Sequence, residues 1–403
     1  MNGSKAKKLS TDSYKGVRDF YPADMAVQEY IFGVWKKAVE SFGYEEYGAS
    51  VLEPADLYRA KSGEEIVNEQ TYTFTDRGER EVTLRPEMTP TVARMVAARR
   101  RKLTFPLRWY SIPNLFRYEQ PQRGRVREHW QLNVDLFGAD SIEADVEVIS
   151  VAYRIMKAFG AADGDFEIRI NDRKAVLAGL NGARLSPEQM RAVTRLMDKK
   201  DKLPRDAYLA ALKEAAGADI DPAFEESEAT QAAVRALSAA GISNARFDAS
   251  IVRGFDYYTG IVFEIYDADP ANRRALFGGG RYDDLASLFG GDKIPAVGFG
   301  MGDVTMRDFL ETHKLMPAPR APADYYLCVM APEQAAFAAA TADRLRAAGS
   351  RVAVDLSFKK VGDQIKSADK RGIPAAVVIG PEEAAGKPLK AKDLKTGAES
   401  ELP

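Results

Sequence analysis

The residue types able to do chemistry gather in a few short stretches. Arg253-Gly-Phe-Asp-Tyr-Tyr-Thr-Gly260 sets an arginine and a turn before paired tyrosines, and Ile261-Val-Phe-Glu-Ile-Tyr266 follows as a strand. A guanidinium at 253 is a fixed cation whose fork matches a carboxylate or a phosphate. The tyrosines offer hydroxyls on an aromatic wall suited to a small polar ring. Downstream stand Gly278-Gly-Gly-Arg-Tyr-Asp283 and Gly298-Phe-Gly-Met-Gly302. Such glycines let backbone approach a ligand closely, although a tight turn before a helix would need them equally. Upstream lies the arginine-rich stretch Phe116–Gln131. Each has an ordinary alternative: a buried Arg–Asp pair beside core aromatics for the first, a solvated basic turn for the last.

The elements that position these residues follow from periodicity. Arg108–Glu119 and His129–Phe137 read as hairpin strands joined by Gln120-Pro-Gln-Arg-Gly-Arg-Val-Arg-Glu128. In the second strand Trp130, Leu132, Val134 and Leu136 point one way, and His129, Gln131, Asn133 and Asp135 the other,. One face packs on a core and the other is a polar floor. Pro22–Phe42 has helical spacing stopped by Gly43, Gly48–Leu52 is strand-like, and another strand ends at Thr83-Leu-Arg-Pro-Glu87,. Thr89 is placed to cap a helix that Pro90 begins and that runs to about Arg99,. Residues 172–245 are rich in Ala, Leu, Glu and Lys and read as inserted helices, 303–312 as a helix, and 316–323 as a Pro-rich linker,. From 324 to 403, strands at 325–330, 351–356 and 375–379 alternate with helices at 332–348 and 361–371, a small α/β domain,.

Bulk properties narrow the classes. A chain of 403 residues has room for roughly two or three domains,. Its net charge of −2 means that a nucleic-acid partner must be met by local patches,. Arg99–Lys102 reads as a solvated helix face and His313 as a surface residue at a helix end. Cys328 is the single cysteine, so no intrachain disulfide forms and a reducing compartment fits,. With only His129 and His313, Cys/His zinc clusters and HExxH sites are excluded, and no metal site is expected,. No apolar run reaches the roughly 18 residues of a membrane span. Met1–Lys8 is a polar tail, unlike a signal peptide,.

Together the arginine hairpin, the RGFDYYTG stretch and the two glycine motifs resemble the histidyl-tRNA synthetase family of class II aminoacyl-tRNA synthetases, over nearly the whole chain. The resemblance implies an α+β catalytic core with a mixed, mainly antiparallel sheet in 1–171 and 246–315, split by the helical insertion 172–245. It implies a C-terminal α/β anticodon-binding domain at 324–403, where Lys359-Lys360 and Asp369-Lys-Arg-Gly372 match tRNA-facing segments. It further implies a cytoplasmic homodimer that activates L-histidine with ATP and Mg²⁺ and esterifies the 3′ end of tRNA(His). By the same resemblance Phe116-Arg-Tyr-Glu119 is motif 2. Arg117 would hold the α-phosphate and act with Arg253 in catalysis, and Glu119 would accept from the adenine amino group. Arg125 would reach the distal phosphates, His129 would stack on adenine, Gly302 would line the nucleotide, and Gln122 and Arg123 would meet the tRNA acceptor end. Glu87, Thr89 and Gln131 would face the histidine α-amino group, Arg253 its carboxylate, Asp135 and Tyr258 its imidazole, with Tyr257 as wall.

The chain departs from the family pattern in places. Asp135 stands where the family has Glu, leaving the imidazole partner one methylene short. Thr305 replaces the arginine of motif 3, with Arg307 as the candidate stand-in, and Ser50 replaces the motif 1 proline, with Pro54 just after. The closing helix of the family is absent before Pro403, which reads as a truncated or a naturally short end. A rival reading is the synthetase-like regulatory subunit of ATP phosphoribosyltransferase, which shares the core. Arg117, Arg253 and residues 324–403 speak against it, and Thr305 for it. A dinucleotide-binding fingerprint would need a third glycine where Asp303 stands,.

Overall fold

The computed structural model describes residues 9–59, 70–120, 124–182, 185–197, 203–218, 225–251, 257–272 and 274–402. They divide into two compact units, Met1–Pro317 and Ala318–Pro403. Gln122, Arg123 and Arg253 lie outside the described residues.

The strands of the first unit are, in chain order, β1 (Glu45–Glu46), β2 (Leu52–Pro54), β3 (Tyr72–Thr75), β4 (Glu81–Leu84), β5 (Leu107–Ser111), β6 (Asn114–Phe116), β7 (Glu128–Phe137), β8 (Phe166–Asp172), β9 (Ala245–Phe247), β10 (Ile261–Asp267), β11 (Ala275–Arg281) and β12 (Ala296–Gly302). A 9-stranded sheet runs β1-β5-β7-β12-β11-β10-β8-β9, with β6 also pairing β7. Only the outer pairs β1–β5 and β8–β9 are parallel, so the sheet is mixed and mainly antiparallel. β2, β4 and β3 form a separate small sheet.

The alternation of β7 explains the layering. Leu132, Val134 and Leu136 are buried in one core with Ile31 and Trp35 of the helix Pro22–Glu40 and Val148, Ile149 and Ala152 of the helix Ile142–Ala158. Burial of such side chains stabilises by roughly 1.5–3 kcal/mol each. The opposite face of β7 carries the polar His129, Gln131, Asn133 and Asp135, and at its end Phe137 enters a second core with Val92, Val96, Val262 and Tyr282.

Several local expectations are corrected. The first hairpin strand is broken at Ile112-Pro113, because proline has no N–H for the ladder. The Pro113 carbonyl instead accepts from Gln131 N at 3.0 Å. The strand expected at 48–52 forms at Leu52–Pro54. Thr89 does not cap: the helix Thr89–Arg99 starts with it, after Met88, and no side chain caps that end. The glycine motifs form no turns; they are strands β11 and β12.

In the inserted region, Val176, Leu180, Val193, Met197, Tyr208, Leu212 and Ala216 make a small core of their own. The helix Glu228–Ala239 instead sends Leu237 into the main core. Ser227 caps this helix, accepting from Thr230 N at 3.1 Å.

The second unit has strands β13 (Tyr325–Val329), β14 (Val352–Val354), β15 (Ala375–Ile379), β16 (Lys390–Asp393) and β17 (Glu399–Glu401), in the order β14-β13-β15-β16-β17. The first three are parallel and joined by helical crossovers, whereas β16 and β17 add an antiparallel hairpin. That hairpin had no apolar alternation to reveal it, since Lys390-Ala-Lys-Asp393 and Glu399-Ser-Glu401 bury Ala391 alone. Among the described residues no helix is long and apolar enough to cross a membrane.

Candidate active site

The polar face of β7 continues onto strands whose residues on that face are mostly glycine. Gly298, Gly300 and Gly302 of β12 pair with Asp135, Asn133 and Gln131 of β7. Gly280 and Gly278 of β11 pair in turn with Gly298 and Gly300. Paired residues share a face, so a bare backbone floor lies beside a row of polar groups. At Gly298 and Gly300 the glycine is required by space. A Cβ on Gly298 would sit 2.5 Å from Asp135 Oδ1, and one on Gly300 2.2 Å from Gln131 Nε2.

Asp135 ends this row. It is 3% exposed, and burial pushes its pKa from 3.8 up to about 7. The Tyr282 hydroxyl donates to Oδ1, while Oδ2 is buried with no hydrogen-bond partner among the described residues. An orphaned buried oxygen of this kind is costly unless a ligand satisfies it. Tyr282, inside the Gly278–Asp283 motif, has no sequence signal of its own that ties it to Asp135. Tyr282 is the hydroxyl that meets Asp135, and the Tyr258 ring lies tilted 4.8 Å from that of Tyr257.

From Asp135 an aromatic wall leads to Glu87. The Tyr282 ring meets Tyr257 at 5.9 Å, edge to face. Tyr257 donates to Glu87 Oε2 at 3.1 Å, and Glu87 is 2% exposed. Thr89, half-buried, follows two residues later. Arg117 Nε donates to the carbonyl of Pro86, next to Glu87, at 2.9 Å. The half-buried His129 ring stays neutral, its pKa lowered to about 3 by burial and by the Arg117 and Arg18 guanidinium groups. Gln131 Nε2 donates to Asn133 Oδ1 at 2.7 Å. Asp135, Tyr257, Glu87, Arg117, His129 and Gln131 therefore border one surface.

The outer arm carries Glu119 and Arg125, with Arg125 Nε 3.3 Å from Glu119 Oε2. Arg127, one of the arginines of the basic hairpin, is the brace of this arm. It donates to Glu119 O at 3.1 Å and to Tyr14 Oη at 3.0 Å, and lies 4.0 Å over the Tyr118 ring.

At the far end of β12, Gly302 precedes the helix Asp303–Thr312. Asp303 is buried and accepts from Arg18 at 2.8 Å, Gln28 at 3.1 Å and the Trp130 N–H at 3.0 Å. Only tertiary structure could show this, since Arg18 and Asp303 are far apart in sequence. Thr305 Oγ donates to Leu276 O at 2.7 Å, so its hydroxyl belongs to the framework. Arg307, the candidate stand-in for the motif 3 arginine, is bound to Asp24 at 3.2 Å and Glu311 at 3.0 Å. His313 is no free surface residue either, as Asp267 holds its Nε2 at 2.7 Å and Phe309 stacks on it at 4.3 Å.

Comparison with known proteins agrees with this architecture. The histidyl-tRNA synthetase family profile matches residues 16–302, and an anticodon-binding-domain profile matches 324–403. The histidine–tRNA ligase of Leptospira biflexa serovar Patoc is 43% identical, over 97% of this chain and 94% of that protein. The histidine–tRNA ligase of Opitutus terrae is 40% identical, over 97% and 95%. The crystal structure of histidyl-tRNA synthetase from Nostoc sp. PCC 7120 shares the fold, with a TM-score of 0.78 at 23% identity over 98% of this chain and 97% of that one. Built on the same sheet and matching the family along nearly all its length, this chain belongs to the histidyl-tRNA synthetase family.

Proposed function

We propose that this chain is a histidine–tRNA ligase. It joins L-histidine to ATP as histidyl-adenylate with release of diphosphate, then transfers histidine to the 3′ end of tRNA(His). The observation that carries the reading is the buried, unpartnered Asp135 Oδ2 at the end of a glycine floor, in a chain matching such ligases over nearly its whole length.

Asp135 accepts the imidazole N–H, between the Tyr282, Tyr257 and Tyr258 rings. Glu87 and Gln131, with Thr89 beside them, receive the α-amino group, and Arg253 takes the carboxylate. Arg117 grips the α-phosphate, Glu119 accepts from the adenine amino group, neutral His129 stacks on the base, Gly302 lines the nucleotide and Arg125 reaches the distal phosphates. Gln122 and Arg123 meet the acceptor end of the tRNA. The substrate carboxylate is itself the nucleophile, so no side chain need form a covalent bond. Arg117 and Arg253 lower the barrier by positioning and by neutralising charge on the phosphoryl oxygens. Mg²⁺ enters with the ATP phosphates, and among the described residues no His/Cys/Asp/Glu cluster is arranged to hold a metal ion by itself. Residues 172–245 form the insertion, 316–323 the linker and 324–403 the anticodon-reading domain, and the functional unit is a cytoplasmic homodimer.

Pyrophosphate exchange measured with each protein amino acid in turn tests the reading. Exchange with histidine alone, dependent on Mg²⁺, is expected. Binding of histidine and ATP without exchange would instead identify the regulatory-subunit relative, and exchange with another amino acid would overturn the specificity.

A further inference from the structure

Two more unsatisfied groups lie beside Asp135. The hydroxyls of Tyr47 and Ser111 are buried, and neither has a hydrogen-bond partner among the described residues. Ser111, 2% exposed, stands on the strand next to Asp135. In the β5–β7 ladder Trp109 pairs with Asp135 and Ser111 with Asn133. Ser111 is thus the diagonal neighbour of Asp135 on the same face, about 7–8 Å away between Cβ atoms for such a pair. Tyr47 comes in from the segment after β1. Its N–H donates to Tyr110 O at 2.8 Å, and its ring lies 5.6 Å from Trp109. Burial and then the Asp135 charge raise its pKa well above the ordinary 10.0, while the Ser111 side chain facing its hydroxyl opposes that rise.

The Tyr47 and Ser111 hydroxyls face one another near Asp135, yet neither they nor Asp135 Oδ2 has a partner at hydrogen-bond geometry among the described residues, so together they form a socket for a hydrogen-bonding ligand. A chance void would be expected to be lined by apolar atoms. We propose that Tyr47 and Ser111 complete, with Asp135, the polar end of the amino-acid pocket and are specificity residues for the imidazole ring. The inference rests on the ligase reading above and extends it to residues outside the sequence motifs. The carboxylate accepts the ring N–H, and the hydroxyls fill the space that a side chain one methylene longer than Asp135 would occupy. They do so directly or through a water, which needs two to four such partners.

The test is kinetic, on the full chain, with Tyr47→Phe and Ser111→Ala, each deleting one hydroxyl. Each should raise KM for histidine in pyrophosphate exchange by about tenfold, leave KM for ATP and the melting temperature nearly unchanged, and weaken discrimination against a histidine analogue whose ring lacks an N–H. In a double-mutant cycle with Asp135→Asn the losses should be less than additive. An unchanged KM for histidine in both variants would overturn the proposal. So would a parallel rise in both KM values with a fall in melting temperature, which marks a packing role. Absence of exchange in the unaltered protein would instead sink the ligase reading, so the two failures are distinct.

Discussion

Replacing Asp135 by asparagine separates what this carboxylate costs the fold from what it contributes to a ligand. Its pKa is 3.8 when solvated and about 7 in the fold, because burial disfavours the charge. Between about pH 4 and about pH 7 the folded chain therefore binds more protons here than the unfolded chain. The contribution of the site to stability is complete below about pH 4 and is lost as pH rises through about 7. A shift of about three pH units, at about 1.4 kcal/mol each, puts the penalty on the ionised form at about 4 kcal/mol. Asparagine carries no charge, and its Oδ1 still accepts from Tyr282. Asp135→Asn should therefore raise the melting temperature of the ligand-free protein by a few degrees at pH 8 and change it little near pH 4. Histidine affinity should move the other way. A charge-assisted bond in a shielded site contributes about 1.5–3 kcal/mol, so Kd should rise by about one to two decades while KM for ATP holds. Thermal melts across pH, paired with calorimetric titration of histidine, measure both. Equal destabilisation at pH 5 and pH 8, or a gain in stability with no loss of histidine binding, would refute the reasoning.

Arg117→Ala should lower kcat of exchange by about 10²–10³-fold with little change in melting temperature, since among the described residues its side chain makes one hydrogen bond, to Pro86 O; a parallel fall in both would mark it as a prop. With its pKa near 3, His129 stays neutral throughout the working range, so His129→Phe should preserve KM for ATP and its pH profile while His129→Ala raises KM several-fold. An inflection near pH 6 that disappears in the phenylalanine variant would show that the ring titrates and contradict this. Gly298→Ala places a methyl 2.5 Å from Asp135 Oδ1 and from Val134 O, so histidine binding should be lost before ATP binding; normal histidine kinetics in this variant would show that the floor yields.

Physical range decided what could be read from sequence. The polar and apolar alternation of β7 is local, and Asp135, Gln131 and His129 were legible from it because strand period alone fixes their side. The glycines of β11 and β12 were legible as a feature and ambiguous in meaning. Glycine permits a turn or a close approach equally, and only pairing of Gly298 with Asp135 and Gly300 with Asn133 shows that the approach is by neighbouring side chains. Tyr282 stood inside a recognised motif, yet its contact with Asp135 joins residues 147 positions apart. Arg18 and Asp303, 285 apart, had no local signal, and neither did Tyr47 and Ser111, which look like ordinary strand residues until their hydroxyls are found buried without partners. Local pattern thus showed which polar side chains share a face, while the groups packed around them emerge only when distant strands are brought edge to edge. For the same reason Arg307 looked like a substitute for Thr305 by proximity in sequence. Its helix instead turns that guanidinium towards Asp24 and Glu311, contacts that no spacing within the motif could show.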